Sequence, residues 1–216
     1  MSHILKENGV FYINNVLIEP AYSSNHVDHI HRLIHDNKTD SQGKFRLIPL
    51  SRGEIAQILD KFYVIELTGV PIACGSAVDY EWEGEWSVEI RSIAVDKGFQ
   101  GQGLGKKLIG YGKERAGEML KPYGTLYESV YATVSKDAPD AIAAFERNGF
   151  EFVADRSIPK IMRDCMRCPL YNNGCNEATY AAPLIHSPSG LLVPDSYHSS
   201  QNGSAYSGLR EPRAVQ

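Results

Sequence analysis

The chain has 216 residues, 43% of them hydrophobic, which suits one domain of ordinary size with a sizeable core plus extra segments. Its 22 basic against 26 acidic residues leave a net charge of −4, so there is no electrostatic case for nucleic acid as a partner. No apolar run approaches a membrane span, MSHILKENGV lacks a signal-peptide core, and the 4 cysteines do not form a secreted disulfide framework; the expectation is a cytoplasmic protein with no membrane partner.

In chain order, residues 11–19 read as a first strand ended by Pro20. Val27, Ile30 and Ile34 recur at helical spacing and predict a helix over 24–36. After a polar loop from Asp36 to Gly43, a second helix is expected over about 51–62, with Ser51 as cap and Glu54 completing a capping box. Strands follow. One from Tyr63 to Leu67 turns at Thr68-Gly69, a second returns through Pro71 to Val78, and a reversal at Glu83-Gly84-Glu85 leads into a long strand, Trp86–Val95. Trp82 and Trp86 flank that reversal and are expected to pack as a cross-strand pair. A helix over 104–120, a strand over 124–133, a helix over 138–148 closed by Gly149 and a strand over 150–155 complete the pattern. Beyond about Tyr180, Ser, Gly, Pro and Asn dominate and periodicity is lost, which reads as a disordered tail.

The most informative stretch is Ser92 to Ile109. The β-branched run ending at Val95 stops at Asp96-Lys97-Gly98, and Gly101, Gly103 and Gly105 then occupy every second position before an amphipathic helix. Strand, glycine-rich loop and helix start together make an anion-binding device: glycines let backbone N–H groups approach a diphosphate, and the positive end of the helix dipole lies beneath it. The P-loop pattern fails because no Ser or Thr follows Lys106-Lys107, and the Rossmann pattern fails because its third glycine is misplaced.

What remains, Gln100-x-x-Gly103-x-Gly105, resembles the pyrophosphate loop of the GNAT acyltransferases, and Ala144 to Phe150 resembles their second signature, a helix ending in Gly-Phe. A narrower likeness runs from about residue 46 to 180. Glu89 to Val95, and Pro159 to Pro169 with Cys175 and Glu177, are similar to the stand-alone N-acetylglutamate synthases of bacterial arginine biosynthesis. The resemblance implies an α/β GNAT fold, a mixed and mostly antiparallel sheet with helices on both faces and strands parted near residue 95. The expected organisation is a GNAT domain over 1–160, a cysteine-containing segment over 161–180 packed on it, and a disordered tail over 181–216. The implied function is acetyl transfer from acetyl-CoA to the α-amino group of L-glutamate by direct attack, with acetyl-CoA as co-substrate; a homodimer is left open.

By the same resemblance, acetyl-CoA would be held by Ile93, Ala94, Val95, Gln100, Gly101, Gln102, Gly103, Leu104, Gly105 and Lys106, with the amides of Ile93 and Val95 polarising the carbonyl. Glu89 stands where histone-type GNAT enzymes carry their general base, and burial between Val88 and Ile90 would raise its pKa; the alternative is a solvated cross-strand charge. Arg91 shares its strand face and suits a bidentate grip on a substrate carboxylate, against the alternative of an ion pair with Glu89 or Asp79. Lys160 would reach a second carboxylate.

There are departures. Ile48-Pro49-Leu50-Ser51 replaces the branch's Leu-Pro-Arg-Ser, with Arg46 and Arg52 nearby, and a few extra residues lie within Ser135–Asp140. Phe145 stands where many relatives carry the tyrosine that protonates the thiolate; Tyr127, Tyr131, Thr133, Ser135 or water are the substitutes. Cys165, Cys168 and Cys175 are weak candidates for a metal, one thiolate short of a tetrahedral set, and Cys74 reads as a core thiol. The histidines between His26 and His35 read as a polar helix surface or a substrate-side wall rather than a metal site. Two rival functions stay open: acetylation of another amine (amino acid, polyamine or protein lysine), and a non-catalytic acyl-CoA sensor.

Overall fold

The computed structural model describes residues 3–7, 10–14, 16–44, 46–82, 84–123, 127–155 and 176–185. A two-stranded antiparallel ladder, β1 (His3–Glu7) with β2 (Val10–Asn14), precedes the main body. The body contains β3 (Ile18–Pro20), α1 (Ser24–Asp36), α2 (Arg52–Gln57), β4 (Phe62–Leu67), β5 (Val70–Trp82), β6 (Glu85–Val95) and α3 (Leu104–Leu120). It is completed by β7 (Tyr127–Ser135), α4 (Pro139–Glu146), β8 (Glu151–Ala154) and β9 (Glu177–Ile185). The seven strands from β3 onward lie in the order β3-β4-β5-β6-β7-β9-β8. Every ladder is antiparallel except β6 with β7, so the expected mixed, mostly antiparallel sheet is present.

Strand alternation sends side chains to two cores. Tyr63, Ile65, Val88, Ile90, Val130, Ala132 and Val134 pack with Leu104, Leu108 and Ala116 of α3 and Phe145 of α4. Phe62, Val64, Cys74 and Ala94 pack with Ile30, Leu33 and Ile34 of α1 and Ile55 of α2. Helices therefore cover both faces, and each large aliphatic chain so buried stabilises by about 1.5–3 kcal/mol.

The predicted helix over 24–36 is α1, residue for residue. Ser51 accepts from the Glu54 amide while Glu54 accepts from the Ser51 amide, the expected capping box. The helix it starts is shorter than expected, because it stops at Gln57 and a 3-10 turn over Leu59–Lys61 leads into β4. Residues 11–19 do not form one strand: they divide between β2 and β3. The β5–β6 reversal closes with Glu81 opposite Trp86 and Trp82 opposite Glu85, and the Trp82 side chain, on which the expected tryptophan pair depends, lies outside the described residues. The expected tail begins too early, since residues 181–185 complete β9, and β9 lies between β7 and β8. Its inward residues Ala178, Tyr180, Ala182 and Leu184 alternate as a half-buried strand requires, but small alanines give a weak hydrophobic pattern.

One packing device crosses the central sheet. A Cβ at Gly75 would lie 2.6 Å from Ile93 Cδ1 and 2.7 Å from the Tyr63 ring, and a Cβ at Gly112 would collide with Tyr63 Oη. Two glycines thus make room for a fully buried tyrosine whose hydroxyl has no hydrogen-bond partner. Gly112→Ala should lower stability by about 1–3 kcal/mol through overpacking, whereas Tyr63→Phe, which removes an unsatisfied hydroxyl, should leave it unchanged or raised. Chemical denaturation of the two variants checks both signs, and an unharmed Gly112→Ala would contradict this packing.

Candidate active site

β6 carries the site, and a bulge sets its geometry. Cys74 pairs with Ala94 and Ser76 with Arg91, so Gly75 alone stands opposite Ser92 and Ile93. Ser92 adopts φ of 55°, a left-handed conformation unusual outside glycine. The extra residue reverses strand parity. Ser87, Glu89 and Arg91 point to one face, Ile93 and Val95 join the α3 core on the other, and Ala94 returns to the first face beneath α1. Sequence reasoning missed the bulge, although an isolated glycine inside a strand was the signal for it.

The β6–β7 ladder holds only Val88↔Val130 and Glu89↔Tyr131, although β6 runs on to Val95 and β7 to Ser135. The opening between them therefore starts just past Glu89, earlier than the expected parting near residue 95.

At the end of β6 the chain enters the glycine loop. Asp96 accepts from the Gly98 amide at 3.0 Å and caps a 3-10 turn over Lys97–Phe99. The Gln100 side chain donates to the Val95 carbonyl and to Asn37 Oδ1, both at 3.0 Å, while Asn37 Nδ2 reaches the same Val95 carbonyl at 3.2 Å. Gln100 thus ties the loop to the last residue of β6 and the C-cap of α1. Gly101 and Gly103 have φ of 77° and 76°, where a Cβ is strained. Gly103 caps α3 without any side-chain cap, and no acidic residue occupies the first turn, where Lys106 and Lys107 are exposed. Leu104 is buried and anchors the helix start. A Cβ at Gly105 would meet only Ile93 Cγ2 at 4.0 Å, so the protein itself does not require glycine there. Uncapped amides, a helix dipole and two cations suit an anion.

The second half of the site is polar and buried. Glu89 is 6% exposed, which removes the reading of a solvated charge. Thr133 Oγ1 donates to its Oε1 at 2.9 Å, Tyr80 Oη donates to its Oε2 at 3.1 Å, and Arg91 Nη1 lies 3.9 Å from Oε2. Burial pushes the Glu89 carboxyl above the ordinary range, opposed by the Arg91 guanidinium and the two hydroxyl donors. Tyr80, which sequence reasoning missed, is pushed up by burial and then by the Glu89 charge. Asp79 pairs with Lys61 at 2.6 Å rather than with Arg91. Ser87 Oγ, opposite Tyr80 in the ladder, is buried without a hydrogen-bond partner.

Other candidates fall differently. Phe145 is buried edge-on to Phe150 at 5.1 Å; the Phe150 amide bonds back to the Phe145 carbonyl past Gly149 at φ of 77°, a helix-ending motif that fixes the pair. Cys74 is buried and its thiol is pushed up to about 12, so it holds no thiolate for nucleophilic attack. His26 is a correction to the polar-surface reading. It is 4% exposed, with Nε2 2.7 Å from Glu66 Oε1 and Nδ1 accepting from the Tyr22 amide at 3.2 Å. Arg46 pairs with Asp40 and Arg52 with Asp28, so neither nearby cation stands free at the position of the missing one. Among the described residues no group of three or more His, Cys, Asp or Glu is placed to hold a metal, and no helix is long and apolar enough to cross a membrane. Lys160, Cys165, Cys168 and Cys175 lie outside the described residues.

Comparison with known proteins gives a consistent picture. Residues 28–150 match the family model described as Acetyltransferase (GNAT) family. N-acetylglutamate synthase from Neisseria gonorrhoeae, solved with coenzyme A and N-acetyl-glutamate, is similar at 22% identity and a TM-score of 0.59, over 79% of this chain and 35% of that one. This chain therefore spans about a third of that enzyme's length. A phosphinothricin acetyltransferase from Sinorhizobium meliloti, solved with AcCoA, is similar at 15% identity and a TM-score of 0.58, over 87% of this chain and 98% of that one. The ribosomal-protein-S18-alanine N-acetyltransferase from Escherichia coli is similar at 16% identity and a TM-score of 0.51, over 82% and 99%. At these identities the structural likeness is one of fold.

A buried carboxyl with a raised pKa also leaves a mark on stability. A group that binds its proton more tightly when folded contributes stability below its unfolded value, and that contribution is lost as pH rises through the folded value. The stability of wild type relative to Glu89→Gln should therefore fall between acidic and neutral pH. Denaturation of both proteins across that range checks it, and a pH-independent difference would contradict the burial of this charge.

Proposed function

Because the chain belongs to the acetyltransferase (GNAT) family, we propose that it moves the acetyl group of acetyl-CoA onto the α-amino group of L-glutamate by direct attack. One observation carries the reading. The glycine loop at the uncapped start of α3 and the buried Glu89 carboxylate are joined by a single strand, and the β6–β7 opening lies between them.

The roles follow from the chemistry of the groups. Backbone amides from Gln100 to Lys106, with Gly101, Gln102, Gly103, Leu104 and Gly105 between, hold the diphosphate; Gly101 and Gly103 supply conformations open to glycine. Glu89 takes a proton from the acceptor ammonium, and the freed amine attacks the thioester carbonyl carbon. The amides of Ile93 and Val95, flanking Ala94, stabilise the developing oxyanion. The C–N bond forms, the C–S bond breaks, and the thiolate takes up, through water, the second proton released by the attacking nitrogen, to leave as coenzyme A. Phe145 cannot supply that proton, since it has no hydroxyl and lies in the core. Arg91 grips one substrate carboxylate and Lys160 a second. Direct attack is preferred to an acyl-enzyme because Cys74 is a buried, protonated thiol.

The likeness of Lys160 through Pro169 to stand-alone N-acetylglutamate synthases, and the similarity to the gonococcal enzyme, support glutamate as acceptor. A second reading is acetylation of a different amine, favoured by the engagement of Arg46 and Arg52 with Asp40 and Asp28. Thiol release measured with acetyl-CoA and a panel of amines separates them: turnover of glutamate supports the first, and turnover of lysine peptides alone removes it.

Gly105→Val should leave folding intact and weaken acetyl-CoA binding by at least tenfold, because its side chain meets the ligand rather than the protein. Calorimetric affinity equal to wild type would overturn the loop assignment. Arg91→Ala should raise KM for glutamate at least tenfold with KM for acetyl-CoA nearly unchanged, as loss of a charge-assisted bidentate contact predicts. Equal effects on the two constants would remove its role.

A further inference from the structure

Arg91 Nη1 and Glu89 Oε2 are 3.9 Å apart, too far for a direct hydrogen bond. Tyr80 Oη fills the gap, 2.9 Å from Arg91 Nη1 and 3.1 Å from Glu89 Oε2. The direction of both bonds is settled by chemistry. A guanidinium can only donate, so Tyr80 must accept from Arg91, and its one proton is then left to point at Glu89. Strand register holds the three groups: Val78 pairs with Glu89 and Tyr80 with Ser87, so Tyr80 leans diagonally across the ladder on the same sheet face. Thr133, two residues past the Tyr131 partner of Glu89, donates to the other carboxylate oxygen at 2.9 Å.

We propose that Tyr80 is a positioning residue: fixed by Arg91, its hydroxyl holds Glu89 in the rotamer and charge state that the reaction needs, and so connects the acceptor-binding cation to the base. The inference rests on the roles given above to Glu89 and Arg91. When an acceptor carboxylate draws on the Arg91 guanidinium, the Tyr80 bond to Glu89 weakens with it, and the base takes its proton more readily. An acceptor without a carboxylate at that place leaves the relay closed. Selectivity would then act on the chemical step as well as on binding.

Among the described residues the groups facing the Glu89 carboxylate are Arg91 on β6, Tyr80 on β5 and the neutral Thr133 hydroxyl on β7. The Lys61–Asp79 pair belongs to the opposite face, because Asp79 pairs with Val88.

The test is a carboxyl-carbon NMR titration of full-length protein labelled at glutamate, with Glu89→Gln identifying the Glu89 signal. Tyr80→Phe keeps the ring and removes the donor, so the Glu89 midpoint should move to higher pH. Arg91→Ala should move it in the same direction, and the double variant should shift it by less than the sum of the two. In parallel, Tyr80→Phe frees the Glu89 rotamer and leaves Glu89 protonated to higher pH before any acceptor arrives, so kcat should fall about tenfold and its acidic limb should move to higher pH, with affinity for acetyl-CoA unchanged. If Tyr80→Phe does not fold, a fluorinated tyrosine at position 80, a stronger donor, should move the midpoint to lower pH. An unmoved midpoint, or additive shifts, overturns the proposal whether or not glutamate is the acceptor. Full activity in Glu89→Gln would instead remove the base assignment, and the titration would still decide the part played by Tyr80.

Discussion

The bulge at Ser92–Ile93 is the constraint on which the site depends. A regular β6 would put position 94 beside Ile90 on the α3 face; the extra residue instead keeps Ile93 and Val95 there and leaves Ala94 with Glu89 and Arg91. One strand can then serve three demands: a packed core under α3, a polar face around Glu89, and an exit at Val95 aimed at the glycine loop. The bulge has its own requirements. Gly75 must lack a side chain so that Ile93 and the Tyr63 ring can close over it, and Ser92 must accept a left-handed φ. Local strain at such a point persists only where surrounding packing over-determines it.

Around that strand the structure separates two kinds of electrostatics. At the loop, backbone amides and exposed Lys106 and Lys107 present positive charge to solvent, ready for an anion and subject to salt screening. At Glu89 a carboxylate is withdrawn from water and kept by two hydroxyls and a nearby guanidinium. Leaving either hydroxyl unmade would cost more than the bond itself contributes, because a buried charge would lose a donor. The first arrangement suits binding and the second suits proton transfer, and β6 sets the distance between them.

Much of this was legible in the residues. Ser51 with Glu54, the apolar spacing of α1, and the glycines around the start of α3 are local signals whose physics is complete within a few residues, and each appears where the sequence placed it. Glu89 and Arg91 were readable as same-face neighbours by strand alternation alone. Tyr80 and Thr133 were not, because their link to Glu89 runs across ladders with separations of 9 and 44 residues. β9 escaped notice because alanines at its inward positions carry little hydrophobic signal, and His26 because helical spacing does not tell which polar residue of α1 will meet Glu66.

By itself, then, the amino-acid order determined α1 and α3, the capping of α2, the hairpin of β4 and β5, the glycine loop and the family, since caps, turns and periodicity act over short range. Only the tertiary structure decided which side chains surround Glu89, where β6 and β7 stop pairing, and that Phe145 serves the core. Those outcomes depend on strand register and on which buried groups find partners, and both are settled only when distant segments pack together.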